Sequence, residues 1–209
     1  MDLAFDDMTS GGESAGGSCP APSARAVSLL RTAKLVSGRG EFICVVRDLH
    51  DDGVGLRCFH TVPEDANMAL ELHDGELLEI ERVGGEGREA NFAFRGGAVD
   101  PAGMVHESGL FPRRQLRLNL AIPLVLRSLT GSVAGVTSNI SQQGCRLETD
   151  RPLSISQSVL IDSPHLPGIR AKVRWRRDGE CGLVFDDTFS LSSFARLVAK
   201  LQCPVLLED

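Results

Sequence analysis

One segment of this chain recurs at a fixed offset, and the recurrence limits the possible folds more than any other feature of the sequence. Residues 48–53 have the sequence D-L-H-D-D-G and align with residues 139–144, N-I-S-Q-Q-G, at an offset of 91 residues. The same offset places Phe92 on Leu183. Because one unbroken offset holds from residue 48 to residue 94, the sequence predicts a duplicated module, that is, two copies of one fold.

Each copy has the pattern of a small all-β domain. Short apolar runs are bounded by Gly, Pro, Asp and Asn, which is typical of strands separated by turns. Six such runs lie in each half of the chain: residues 26–36, 41–47, 54–59, 68–72, 76–83 and 91–95, and then residues 121–126, 132–137, 145–148, 158–161, 169–175 and 182–185. Repeated short strands of this kind predict a barrel or a sandwich.

Residues 191–202 differ from the rest of the chain. Apolar side chains recur there at helical spacing behind Ser190, a good N-cap, and Pro204 follows the last of them. We expect one amphipathic C-terminal helix packed on the second barrel. The predicted fold class is therefore all-β with one C-terminal helix, built as two tandem six-stranded barrels.

Turn-forming residues divide the chain into segments. The first 20 residues are rich in Gly, Ser and acidic side chains and cannot bury enough apolar area to offset the entropy of ordering. Glycine and proline cluster at residues 96–103, where the apolar pattern stops. The sequence thus predicts a disordered tail at 1–20, a first barrel at 21–100, a linker at 101–112, and a second barrel with its helix at 113–209.

The charge is divided unevenly between the two halves. The chain has a net charge of −6; residues 1–100 carry 9 Lys and Arg against 18 Asp and Glu, whereas residues 101–209 carry 13 against 10. We expect no binding to a nucleic-acid polymer, and only the second half is suited to an anion. The acidic N-terminus does not resemble a secretory signal, and no apolar run approaches the length of a membrane span. We therefore expect a cytoplasmic protein without membrane insertion.

Several motifs resemble catalytic or metal sites but lack the spacing or context that such sites require. The six cysteines lie far apart without a CxxC pair, which predicts buried or free thiols in a reducing compartment. His50, His60 and His73 have no recognised ligand spacing with the acids at positions 48, 51 and 52, so no metal site is expected. Residues 85–90 satisfy GxGxxG/A, but a strand follows, which predicts a hairpin turn. No motif supplies a nucleophile or a catalytic base, and we expect no enzyme.

Two polar motifs in the second copy can bind an anionic purine nucleotide. The first contains Arg113, Arg114 and Arg117 directly before the first strand, and the guanidinium group fits phosphate oxygens and the guanine edge. The second contains Asn139, Ser141 and Gly144. The first two residues of the second motif offer short polar groups, and the glycine permits a close backbone approach or a positive φ.

The second copy resembles the PilZ domains, which are bacterial receptors for cyclic di-GMP. The family's RxxxR motif matches Arg113 and Arg117, and its D/NxSxxG motif matches residues 139–144. The resemblance implies a six-stranded barrel with a C-terminal helix, in which Arg113, Arg114 and Arg117 fold over the dinucleotide. It also implies that Asn139 and Ser141 hold the other guanine face. The ligand implied is cyclic di-GMP, with no cofactor.

The first copy departs from these motifs. Its second motif has Asp48, His50 and Gly53, and the further acids Asp51 and Asp52 would repel a phosphate. The arginine loop has no counterpart beyond a single arginine at position 25. We expect a degenerate PilZ-like barrel that packs on the second one or presents an acidic face to a protein.

Two functions follow from these expectations. In the first, the chain is a cyclic di-GMP receptor that passes binding to a downstream protein partner through a change between the barrels or at a partner surface. In the alternative, it is an adaptor that binds no nucleotide and acts through protein contacts. Trp175, the sole tryptophan, is expected to be a core or rim aromatic. The oligomeric state and the number of dinucleotides bound stay open.

Overall fold

Two closed antiparallel barrels of six strands each make up most of this chain. The computed structural model describes residues 27–72, 75–101 and 115–208. The predicted tail and nearly all of the predicted linker lie outside the described residues. Within the described part of the chain, no helix is long and apolar enough to span a membrane.

The first barrel contains the strands predicted for the first half of the chain. The order around this barrel is β1-β2-β3-β6-β5-β4, and pairing of β1 with β4 closes it. Its strands are β1 (Val27–Ser37), β2 (Gly40–Leu49), β3 (Gly53–Cys58), β4 (Met68–Glu71), β5 (Leu77–Gly84) and β6 (Glu89–Phe94). The predicted GxGxxG/A segment is the hairpin turn between β5 and β6, as expected.

The second barrel repeats this topology. The order around it is β7-β8-β9-β12-β11-β10, and pairing of β7 with β10 closes it. Its strands are β7 (Pro123–Ser128), β8 (Gly131–Ile140), β9 (Gly144–Thr149), β10 (Ser158–Ser163), β11 (Leu166–Arg177) and β12 (Glu180–Phe185). The prediction of two six-stranded barrels is therefore confirmed.

Helix α1 (Leu191–Gln202) begins and ends at the predicted residues. The Ser190 hydroxyl accepts a hydrogen bond of 3.1 Å from the Ser193 N–H, which satisfies one free donor of the first turn. Phe194 and Val198 pack in the core of the second barrel, as expected. Ala199, however, packs in the core of the first, so the helix contacts both barrels and not the second alone. A 3-10 turn (Pro204–Leu207) follows.

Strand β2 brings the two barrels together because both of its faces are buried. Successive side chains of a strand point to opposite faces. Phe42 and Cys44 therefore fill the first core, while Ile43 between them packs in the core of the second barrel. All three are buried. A fully buried Phe or Ile side chain contributes roughly 1.5–3 kcal/mol, so this contact stabilises the arrangement of the barrels as well as each barrel.

A polar cluster around the buried Lys34 accompanies this apolar contact. Lys34 is only 4% exposed, and its Nζ lies 2.6 Å from Glu71 Oε2 and 3.4 Å from Glu41 Oε2. The Glu41 carboxylate accepts hydrogen bonds of 2.7 Å from both the backbone N–H and the Nδ2 of Asn119. We call Lys34, Glu41, Glu71 and Asn119 the Lys34 cluster. It joins β1, β2 and β4 of the first barrel to the segment that leads into β7.

Candidate functional site

The second polar motif and the arginine at position 117 lie together on one side of the second barrel. Arg113 and Arg114 lie outside the described residues. A groove of about 770 Å³ lies between the barrels on this side. It is lined by Glu71, Leu72, Gly75, Gln115, Leu116, Arg117, Ser141, Gln143, Gly144, Cys145, Arg174, Trp175, Gly182, Leu183 and Val184.

Arg117 and Asn139 are brought together by a short backbone pairing. Leu118 and Ile140 exchange two backbone hydrogen bonds of 2.9 Å, and both side chains are buried. Because side chains alternate along extended backbone, Arg117 and Asn139 next to them point away from the core. The Arg117 guanidinium donates to Asn139 Oδ1 at 3.3 Å. The structure thus joins the two predicted motifs at one point of the barrel surface.

Ser141 closes the turn between β8 and β9. Its backbone N–H and its hydroxyl both donate to the Gly144 carbonyl, at 2.8 Å and 3.1 Å. The side chain is only 6% exposed. The hydroxyl proton is therefore used within the turn, and its oxygen lone pairs are what remain for a ligand.

Gly144 is required by a close approach of two strands. A Cβ at this position would lie 2.2 Å from the Leu183 carbonyl oxygen of β12. The backbone φ is not in the left-handed region, so of the two roles expected for this glycine the close approach is the one observed. Gly53 makes the same approach in the first barrel, where a Cβ would lie 2.4 Å from the Phe92 carbonyl oxygen.

The first barrel repeats the turn but not the chemistry of the site. The His50 N–H donates to the Gly53 carbonyl at 2.8 Å, as Ser141 does in the second copy. The His50 Nε2 lies 3.4 Å from a carboxylate oxygen of Asp48, which takes the place of Asn139. Among the described residues, no group of three or more His, Cys, Asp or Glu can hold a metal ion. The turn is thus the same in both barrels, while the polar groups on it differ.

Two groove residues of the second barrel were not assigned to the site from the sequence. The pairing of β11 with β12 shifts between Val173 and Trp175, and both Arg174 and Trp175 are exposed as a result. The Trp175 indole lies over Gly182, where a Cβ would come within 2.0 Å of Nε1. The ring is 37% exposed at the groove edge, so it is a rim aromatic.

A third groove residue, Glu71, comes from the first barrel. It lies at the end of β4, and among the described residues that line the groove it is the single acidic one. Sequence reasoning missed it because no local motif surrounds it. Its place in the groove depends on how the barrels pack.

The thiol in the groove does not supply a nucleophile. Burial, together with the neighbouring Cys181, raises the pKa of Cys145 to about 12. The thiol is therefore protonated at neutral pH, and the thiolate is the reactive form. The arrangement can bind a ligand through cationic, amide and aromatic groups.

A family model described as PilZ domain matches residues 111–202. This part of the chain is a PilZ domain, and it comprises the second barrel and helix α1. No curated protein matches the chain.

Solved structures that resemble the chain include the following three. The PlzA protein of Borreliella burgdorferi in complex with c-di-GMP has 12% identity over 84% of this chain and 88% of that one, with a TM-score of 0.36. K. pneumonia MrkH in its apo state has 15% identity over 85% of this chain and 87% of that one, with a TM-score of 0.32. The Bacillus subtilis inhibitor of motility MotI/DgrA has 10% identity over 86% of this chain and 96% of that one, with a TM-score of 0.34.

Proposed function

We propose, from the premise that residues 111–202 are a PilZ domain, that this chain is a receptor for cyclic di-GMP. The dinucleotide binds in the groove between the barrels, and the second barrel supplies the residues of both motifs. The contact of Arg117 with Asn139 carries the proposal, because it places an amide beside a guanidinium that lines the groove.

The chemistry of this pair suits a guanine nucleotide. A guanidinium donates two parallel hydrogen bonds to O6 and N7 of guanine or to phosphate oxygens, and it also stacks on a base. An amide supplies both a donor and an acceptor to a base edge. We assign the recognition of guanine to Arg117 and Asn139, and the binding of phosphate and of the remaining guanine to Arg113 and Arg114.

Ser141 and Gly144 have a supporting role in this proposal. The serine hydroxyl donates within the turn, so it fixes the position of the turn that carries Asn139. The glycine allows β9 to approach β12, and this approach sets the groove floor. Trp175 at the rim offers a flat surface on which a base can stack.

A short backbone segment can transmit the effect of ligand binding to the first barrel. Asn119 lies two residues after Arg117, and it is held to the first barrel by its two hydrogen bonds to Glu41. A ligand shifts the arrangement of the barrels only if it binds one arrangement more tightly than another. We propose that contacts of Arg113, Arg114 and Arg117 with the ligand supply this difference in affinity and that a downstream protein detects the change.

Calorimetric titration of cyclic di-GMP into the full chain tests the proposal, with GTP and GMP as ligand controls. We expect selective binding by the parent and its loss in the Arg113→Ala/Arg117→Ala variant. Arg127→Ala is the matched control, because Arg127 is an exposed arginine paired with Asp162 outside the groove. Its affinity should equal that of the parent.

Two results would contradict the proposal, the first its receptor function and the second its site. If no nucleotide binds the parent, the alternative function is favoured, namely an adaptor whose acidic first barrel binds a basic protein. If the double variant binds as well as the parent, the nucleotide lies at another place on the chain.

A further inference from the structure

The groove has two walls of opposite charge, and they belong to different barrels. Arg117 and Arg174 are the basic residues among the described lining, and both come from the second barrel. Glu71 comes from the first barrel, and 26% of its side chain is exposed. A carboxylate in a groove that binds phosphate would ordinarily weaken binding by repulsion.

The Lys34 cluster reduces this repulsion. Lys34 Nζ lies 2.6 Å from Glu71 Oε2, and this buried ammonium group, which also contacts Glu41, compensates part of the negative charge of the Glu71 carboxylate. Lys34 is itself fixed by Glu41, which is bonded to Asn119. Glu71 is thus held in place by a buried partner. Two carboxylate oxygens have about four lone-pair sites, and Lys34 occupies one of them.

A fixed carboxylate and a guanidinium recognise different edges of guanine. Guanine presents the acceptors O6 and N7 on one edge, which a guanidinium binds with two hydrogen bonds. Its other edge presents the donors N1–H and the 2-amino group, which the two oxygens of a carboxylate accept together. Adenine presents a bare N1 at the same place, which would face the carboxylate lone pairs. A groove that presents Arg117 and Glu71 to one base would therefore favour guanine over adenine.

We propose that Glu71 determines base specificity by accepting hydrogen bonds from N1–H and the 2-amino group of one guanine of the dinucleotide. The inference rests on the proposed function, since it concerns a ligand in the same groove. It assigns the first barrel a direct contact with the ligand, so that the guanine bridges the two barrels between Glu71 and Arg117.

The test compares cyclic di-GMP with its inosine analogue, which lacks the 2-amino groups. Calorimetry on the full chain measures both affinities for the parent, Glu71→Gln and Glu71→Ala. We expect the parent to prefer cyclic di-GMP by about 5- to 150-fold, the range of one well-formed base contact. In both variants the preference should fall to about threefold or less, because the acceptor pair is gone.

The control is Glu79→Gln, which removes an exposed carboxylate of the first barrel that does not line the groove. This variant should keep the preference of the parent. If the parent binds cyclic di-GMP and the Glu71 variants keep the full preference, the role of Glu71 is refuted while the receptor function stands. If the parent binds neither dinucleotide, both proposals are refuted.

Discussion

The Arg117 guanidinium donates to Asn139 Oδ1 across 22 positions of sequence, at a distance of 3.3 Å. The contact places one residue of the first motif beside one residue of the second. In the proposed site it would orient the guanidinium before the ligand binds, which reduces the entropy lost on binding.

Because the two side chains touch, their contributions to binding should be coupled. We expect Arg117→Ala and Asn139→Ala each to weaken cyclic di-GMP binding by about tenfold or more, since each removes a hydrogen bond to a charged or polar ligand group. The double variant should lose less than the product of the two effects. Calorimetric affinities for the four proteins give the coupling, and strictly multiplicative losses would mean that the residues act separately.

A methyl group at position 144 should destabilise the second barrel. In Gly144→Ala the added Cβ would lie 2.2 Å from the Leu183 carbonyl oxygen, so β9 and β12 must separate. We expect the free energy of unfolding to fall by about 1–3 kcal/mol. Urea denaturation measures it. Gly168→Ala is the matched control in β11, where the nearest atom to an added Cβ is 3.9 Å away, and it should change stability by about 0.5 kcal/mol or less. Equal effects of the two substitutions would contradict the close approach.

Removal of the Glu41 carboxylate should weaken the junction between the barrels. In Glu41→Ala the buried Lys34 loses one of its two acidic partners, and the Asn119 side chain and N–H lose their acceptor. We expect the free energy of unfolding to fall by about 1–3 kcal/mol. Glu79→Ala removes an exposed carboxylate and should leave stability nearly unchanged. Urea denaturation of both variants decides, and a Glu41→Ala protein as stable as Glu79→Ala would show that the cluster contributes nothing.

His60 should make the protein less stable in mild acid. Burial is the main cause that lowers the pKa of His60 below its ordinary value of 6.5, and the nearby Arg196 and Arg88 lower it further. Its Nδ1 donates to the Thr61 carbonyl at 2.8 Å, and its Nε2 is buried without a partner among the described residues. The unfolded chain therefore takes up a proton at a higher pH than the folded one, and stability falls as the pH falls below about 6.5.

Urea denaturation at pH 7.5 and pH 5.5 measures this loss. The decrease should shrink in His60→Gln, which cannot take up the proton, and it should persist in His165→Gln, which alters an exposed histidine. A decrease of the same size in His60→Gln would assign the pH dependence to other groups.

The sequence predicted the strands and the helix well because their causes are local. Alternating apolar residues and turn formers define each strand, and a serine cap with a following proline defines α1. The contact of α1 with the first barrel was not predicted. This contact arises because Ala199 packs in the core of the first barrel. The spacing of apolar residues along a helix does not indicate which domain each of them contacts.

The candidate site was predicted only as far as its motifs extend. Asn139, Ser141 and Gly144 lie on the hairpin of β8 and β9, so their spacing within six residues already brings them together. Trp175 and Arg174 share the groove because of an irregular pairing of β11 with β12, which no periodicity shows. Glu71 lies on the other barrel, and its position follows from the packing of β2 between two cores.

Gly53 and Gly144 each lie close to a carbonyl of the neighbouring strand. The glycine of the motif therefore has a structural role in both barrels. Each barrel needs this glycine for the close approach of two strands, whatever the barrel binds. The glycine therefore indicates the barrel fold and not ligand binding. Arg117 lines the groove and contacts Asn139, and both side chains can change without opening the barrel. A genome survey that gives the glycine the same weight as the arginine would therefore also find barrels that lack the arginine. It would overestimate the number of second-messenger receptors.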